Sequence, residues 1–282
     1  MTTTTWTFDT QGDVILGWII PFHTPGSLTI RLRGGDGHHP SSHPLLRGGS
    51  PGDVDATVTL APGTAIDIFV GAPGRQDGVA PGPARYDGGA GRISGGSASA
   101  VEVGGVPILV AGGGGSGGGG AFGGRGGGRG GHGVADGESQ TPLAANSFDG
   151  GNGQGGSLSG AGAGGAAATT APPGYDGLAG VGHVGGSYGN SGSGGSGGGG
   201  GYYGGGAGGT NWGGMGGGGG GGSTWVDTGV CSSATGWDAT VRGYGDDSGL
   251  VEITMDYLGD WVERRPRTSV GILVFGAGVS SS

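Results

Sequence analysis

The chain has 282 residues, of which 85 are glycine, and a formal net charge of −9. Glycine does not recur every third residue and proline numbers only 14, which excludes a collagen triple helix. The acidic balance, with 12 arginines and no lysine, speaks against a nucleic-acid partner.

From the N-terminus, Trp6-Thr7-Phe8 is a short aromatic strand, and Val14 to Ile20 is an apolar run that stops at Pro21. Ser27 to Arg33 alternates strictly, which puts Leu28, Ile30 and Leu32 on one face of a strand. Val54 to Leu60 alternates again, followed by the turn Ala61-Pro62-Gly63-Thr64 and a strand from Ala65 to Gly71. Ser97 to Val103 and Val106 to Ala111 flank Gly104-Gly105, a hairpin signal. Far downstream, Leu250 to Met255 alternates once more and is expected to return to the same sheet. No segment has helical periodicity.

Between Ala111 and Ser223 about half of the positions are glycine. Fixing a residue costs roughly 1–2 kcal/mol of backbone entropy, and glycine loses the most. Such a segment is either disordered or ordered through its backbone hydrogen bonds. Order has a definite route. A polyproline-II chain makes no internal hydrogen bonds and points its amides and carbonyls outward with three-fold symmetry. Where nearly every residue is glycine, several such helices can pack side by side and satisfy one another; nine residues span about 28 Å. The expected helices are 112–120, 123–131, 150–156, 160–165, 192–201, 204–209 and 213–222. Phe122, Arg125, Arg129, Tyr202, Tyr203, Trp212 and Met215 then belong at the outside or the ends of the bundle. Alanine at Gly117 or Gly218 is expected to be more disruptive than in an ordinary loop.

The expected fold is therefore all-β, with essentially no α-helix: a jelly-roll-like β-sandwich carrying an inserted bundle of packed polyglycine-II helices. Residues 1–111 supply sandwich strands, 112–222 the bundle and its loops, 223–258 a loop and the return strand, and 259–282 a C-terminal docking tail.

Ile108-Leu109-Val110-Ala111 running into Gly112 to Gly115, and later Gly199-Gly200-Gly201-Tyr202-Tyr203-Gly204-Gly205-Gly206, resemble the glycine-rich domains of phage tail proteins. They are also similar to the extracellular glycine-rich domain of anaplastic lymphoma kinase receptors. Thr24 to Ile30, Gly34-Gly35, Ala61-Pro62-Gly63 and Ile68 to Gly71 fit the same pattern, so the resemblance covers roughly residues 6–258. The chain is read as lacking the receptors' disulfides, signal peptide and kinase, since Cys231 is its one cysteine and Met1 to Trp6 carries neither charge nor an apolar run. That favours the phage branch. The resemblance implies a minor tail protein at or near a phage tail tip, with loops at the bundle ends recognising the host surface. Arginine in place of lysine, with abundant Ala, Gly and Thr, points to a GC-rich genome and an actinobacterial host. The alternative is a glycine-rich bacterial surface or matrix protein.

In this reading the chain resides in the virion tail, where it can be oligomeric. Its partners are other tail proteins and a host cell-surface glycan or protein. No membrane span is expected, because no apolar run of 18 residues occurs. The loops 132–149, 166–184 and 223–248 carry the candidate recognition aromatics Phe148, Tyr175, Trp225 and Trp237. Trp261, Ile272, Leu273, Val274 and Phe275 are the candidate docking residues, which could add a strand to a neighbour's sheet. No catalytic, cofactor or metal residue is expected, and the chain is not read as an enzyme. Gly-X-Gly-X-X-Gly recurs by composition without a strand–helix context. Arg47, Arg125 and Arg129 precede glycine pairs but are too sparse for RNA. His38, His39 and His43 match no metal spacing, and Asp238, Asp246 and Asp247 read as a solvated turn.

Overall fold

The computed structural model describes residues 2–21, 27–38, 47–76, 79–91, 93–118, 128, 130–131, 135–137, 139, 152–167, 176, 178–188, 195–210, 216–236 and 249–257. Among them are ten strands and no helix: β1 (Thr2–Phe8), β2 (Val14–Ile19), β3 (Ser27–Arg33), β4 (Asp53–Thr59), β5 (Ala65–Phe69), β6 (Ser99–Val103), β7 (Val106–Ala111), β8 (Trp225–Val226), β9 (Cys231–Thr235) and β10 (Leu250–Tyr257). They form two antiparallel five-stranded sheets, ordered β1-β10-β3-β4-β9 and β2-β5-β6-β7-β8.

The alternating strands bury the expected faces. In β3, Leu28, Ile30 and Leu32 are buried while Ser27 and Arg31 are exposed. Val54, Ala56 and Val58 in β4 and Val251, Ile253 and Met255 in β10 join them. From the second sheet, Ile66, Ile68, Val101 and Leu109 pack into the same apolar cluster, so the two sheets share one core. Each valine, leucine, isoleucine or methionine among them contributes about 1.5–3 kcal/mol when fully buried. The expected return strand is present: β10 pairs with β3 (Ile253 opposite Ile30) and with β1 (Ile253 opposite Trp6). Two strands were not expected. β8 extends the second sheet and β9 the first, both from residues read as loop. Cys-Ser-Ser-Ala-Thr in β9 alternates too weakly to signal a strand, and a two-residue β8 carries no period at all.

The second sheet is buried on its outer face as well. Phe69, Ala100 and Val110, one residue out of phase with Ile68, Val101 and Leu109, form a separate cluster with Tyr86 and Ala98, and Tyr202 packs on it. This double covering is why β6 is buried at four of its five positions.

The strands lead directly into glycine segments, which hydrogen-bond to one another laterally. Their donors repeat every third residue. Gly197 and Gly200 donate to the carbonyls of Ile93 and Gly96, Gly113 and Ser116 to Gly200 and Gly197, and Gly219 and Gly222 to Ser116 and Gly113. Intervening residues turn to other neighbours: Gly198 donates to Gly186 and Gly199 to Gly220. The network is wider than 112–222. Gly35 donates to Ser97, Gly37 to Gly49, Gly49 to Gly115 and Gly74 to Asp36, so turns between sheet strands belong to it.

Small side chains fit where a carbonyl needs a donor. Ser116 Oγ, fully buried, donates to Ile93 and Gly197 carbonyls, both at 3.1 Å. Thr224 accepts from the Gly112 amide at 2.9 Å and donates to the Gly131 carbonyl. At other positions not even a methyl fits: a Cβ on Gly199 would overlap the Gly113 carbonyl, and one on Gly222 the Gly200 carbonyl.

Candidate recognition surface

Where the second sheet meets the glycine segments, aromatic rings form a continuous row. Trp225 lies in β8, opposite Val110 of β7. Its indole stacks on Tyr202, with centroids 4.3 Å apart and planes within 14°. Tyr202 meets Tyr203 edge-on at 5.1 Å and His183 at 5.6 Å. His183 in turn lies 5.1 Å from Tyr86, and Tyr86 packs edge-on against Phe69 at 5.2 Å.

Backbone bonds hold the row in place. Tyr202 donates its amide to the Ser223 carbonyl, and Ser223 donates back to Tyr203, both at 3.0 Å. Gly201 donates to the His183 carbonyl at 3.0 Å. His183 Nδ1 lies 2.5 Å from the Tyr202 carbonyl. A carbonyl only accepts, so the proton sits on Nδ1.

At the buried end, Tyr86 is wholly inaccessible and its hydroxyl donates to Glu102 Oε1 at 2.5 Å. Arg85 donates from Nη1 to Glu102 Oε2 and from Nη2 to the Gly105 carbonyl, both at 2.9 Å, and its guanidinium lies over the Tyr86 ring. Burial, then the bond to Glu102, pushes the Tyr86 phenol well above its ordinary range. This cluster satisfies a carboxylate that is 1% exposed. Beside it, burial pushes the half-buried Asp87 carboxyl up to about 6, and among the described residues Asp87 Oδ1 has no hydrogen-bond partner.

Of the four recognition aromatics expected from sequence, Trp225 alone lies within the described residues. It is half-buried and engaged with Tyr202. Phe148, Tyr175 and Trp237 fall outside the described residues, as do Trp261, Ile272, Leu273, Val274 and Phe275. Tyr202 and Tyr203, expected at the outside or ends of the bundle, are both half-buried, Tyr202 packed on the outer cluster of the second sheet and Tyr203 edge-on against Tyr202. Sequence reasoning did not find His183, Arg85, Tyr86 or Glu102. The available signal was the buried-strand position of Glu102, an acid that must be paired.

Of His38, His39 and His43, His38 is described; its amide donates to Ser94 and its carbonyl accepts from Gly117. Among the described residues no three His, Cys, Asp or Glu side chains are grouped to hold a metal ion. Nor do they include a helix long and apolar enough to cross a membrane. Cys231 is half-buried, its thiol pushed up to about 11 by burial and by Asp227. No protein-family model and no curated protein sequence matches the chain.

Proposed function

We propose that the chain is a structural minor tail protein, at or near the tail tip of a bacteriophage of an actinobacterial host, contributing to host-surface recognition. The two sheets act as a jelly-roll-like sandwich, and the glycine segments form an inserted bundle of polyglycine-II helices. The observation that carries this reading is the three-residue repeat of lateral amide bonds, as at Gly197 and Gly200. Three residues per turn with outward-pointing amides is the polyproline-II geometry. Such a bundle, joined to strands, is what the resemblance to phage tail proteins implies.

The function is mechanical and adhesive rather than catalytic. Glycine segments cross-linked by their own backbones give a rigid body without a large apolar core. Phe148 of loop 132–149, Tyr175 of loop 166–184 and the loop residue Trp237 are left to meet the host. Trp225, packed on Tyr202, anchors the start of its loop rather than meeting a receptor.

The experiment is immunogold labelling of purified phage particles with antibodies raised against this chain. Label at the distal tail end, and antibodies that block adsorption to host cells, are expected. Particles without label, with the chain recovered from a bacterial surface fraction, would transfer the protein to the matrix class.

A further inference from the structure

Four strands end the two sheets, and three have little to offer a partner. β1 is a threonine strand, with Thr3 bonded to Asp256; β9 is Cys-Ser-Ser-Ala-Thr; β8 has two residues. β2 differs. Its sequence, Val-Ile-Leu-Gly-Trp-Ile, carries no charge, and among the described residues no strand pairs with its outer edge. Val14, Leu16 and Ile19 are 45%, 69% and 48% exposed. Val14 pairs with Phe69 of the outer cluster, so this apolar face continues a buried one but is itself exposed. Sheet edges are normally blunted by charge, proline, a bulge or a covering segment; β2 carries a register shift between Ile15 and Trp18, where Gly17 has a φ of 67°, but no charge or proline within it.

The chain has a matching segment. β10 ends at Tyr257, the register partner of Thr2 on β1. β1 and β2 lie together, since Trp18 packs edge-on against Trp6 at 5.6 Å and Phe8 at 6.3 Å. Beyond Tyr257 the sequence runs twelve residues, 258–269, to Val270-Gly271-Ile272-Leu273-Val274-Phe275. Extended, twelve residues reach about 40 Å, twice the roughly 20 Å length of a six-residue strand. The segment has the same six-residue length as β2, is equally uncharged and rich in β-branched residues. A tether of this length holds it at an effective concentration on the order of millimolar.

We propose that the outer edge of β2 is the acceptor for the chain's own segment 270–275, which adds to the second sheet as a further strand and covers Val14, Leu16 and Ile19. The inference rests on strand order and edge chemistry, and stands whether or not the protein belongs to a virion. It assigns Ile272 to Phe275 to this molecule rather than to a neighbouring subunit.

The test uses full-length protein. Amide hydrogen exchange is compared between the native chain and the double variant Ile272→Pro/Leu273→Pro, which removes a ladder donor whichever set of alternate amides in the added strand faces β2. The β2 amides not bonded to β5 are expected to exchange at least tenfold faster in the variant, with β5 and β6 amides unchanged as the control for folding. Equal exchange in the two proteins overturns the proposal. A second arm combines Leu16→Cys with Ile272→Cys, Leu273→Cys or Val274→Cys in turn, all in a Cys231→Ser background, oxidised at low micromolar concentration. A disulfide within one molecule, at alternate positions, is expected. Crosslinks found only between molecules would hand the segment to a neighbouring copy and refute the proposal.

Discussion

Gly113 donates its amide to the carbonyl of Gly200 at 2.7 Å, joining the segment that leaves β7 to one far along the chain. A bond of that kind contributes about 1 kcal/mol net, so the assembly depends on many of them forming together. Close approach is the condition, and a methyl group is enough to prevent it.

Gly199→Ala is therefore expected to destabilise the protein by at least about 2 kcal/mol, because its Cβ would overlap the Gly113 carbonyl and backbone cannot yield as a side chain can. Gly160, whose Cβ would meet nothing within 4 Å, is the control, and Gly160→Ala should stay within about 0.5 kcal/mol of the parent. Urea denaturation of the two variants decides it. Equal midpoints would dismiss the packed-backbone picture.

Thr224→Val keeps shape but removes the hydroxyl that links the Gly112 amide to the Gly131 carbonyl. Both groups are then stranded in a buried place, at a cost of about 1–3 kcal/mol. Thr224→Ser, which retains the hydroxyl, should recover part of the loss in the same denaturation assay.

Tyr86→Phe should cost about 1.5–3 kcal/mol at neutral pH, since Glu102 loses a buried donor. The phenol adds a pH signature. Its folded value lies above the unfolded one, so its contribution is complete below about pH 10 and declines as pH rises beyond that. Native protein should lose stability above pH 10 faster than Tyr86→Phe. Parallel pH curves would show that Tyr86 is not responsible.

Asp87 has the same sign in a different window. Its carboxyl is raised from 3.8 to about 6 by burial, so its contribution is fully present below 3.8 and lost as pH rises through about 6. Asp87→Asn should therefore be more stable than the native chain by about 1 kcal/mol at pH 7.5, the value being discounted because the group is only half-buried. At pH 4 the two should coincide. A difference that does not change with pH would rule out titration of this group.

Trp225→Ala and Tyr202→Ala should each destabilise by about 2 kcal/mol, with a coupling of roughly 0.5–1.5 kcal/mol in the double mutant, as expected for stacked rings. Strict additivity would mean that the stack contributes nothing beyond area.

Periodicity located the core faces well. Leu28, Ile30 and Leu32 alternate with polar neighbours, and a period of two has only one way to bury them. The recognition residues were much less legible. Trp225 stood out as an aromatic in a loop, but Tyr202, which stacks on it, and His183, which packs on Tyr202, are brought there only through pairings of glycine segments, which leave no side-chain pattern to read.

By itself the sequence determined that the chain is built from β-strands and that its glycine-rich half must rely on backbone bonds, because so few side chains exist to form a core. Tertiary structure alone decided which segments share those bonds. Gly35, Gly49 and Gly74, in turns between strands, lie in the same network as Gly114, Gly115 and Asp36. Every glycine offers the same amide and the same carbonyl, so partner choice is set by the sheets that deliver each segment to its place.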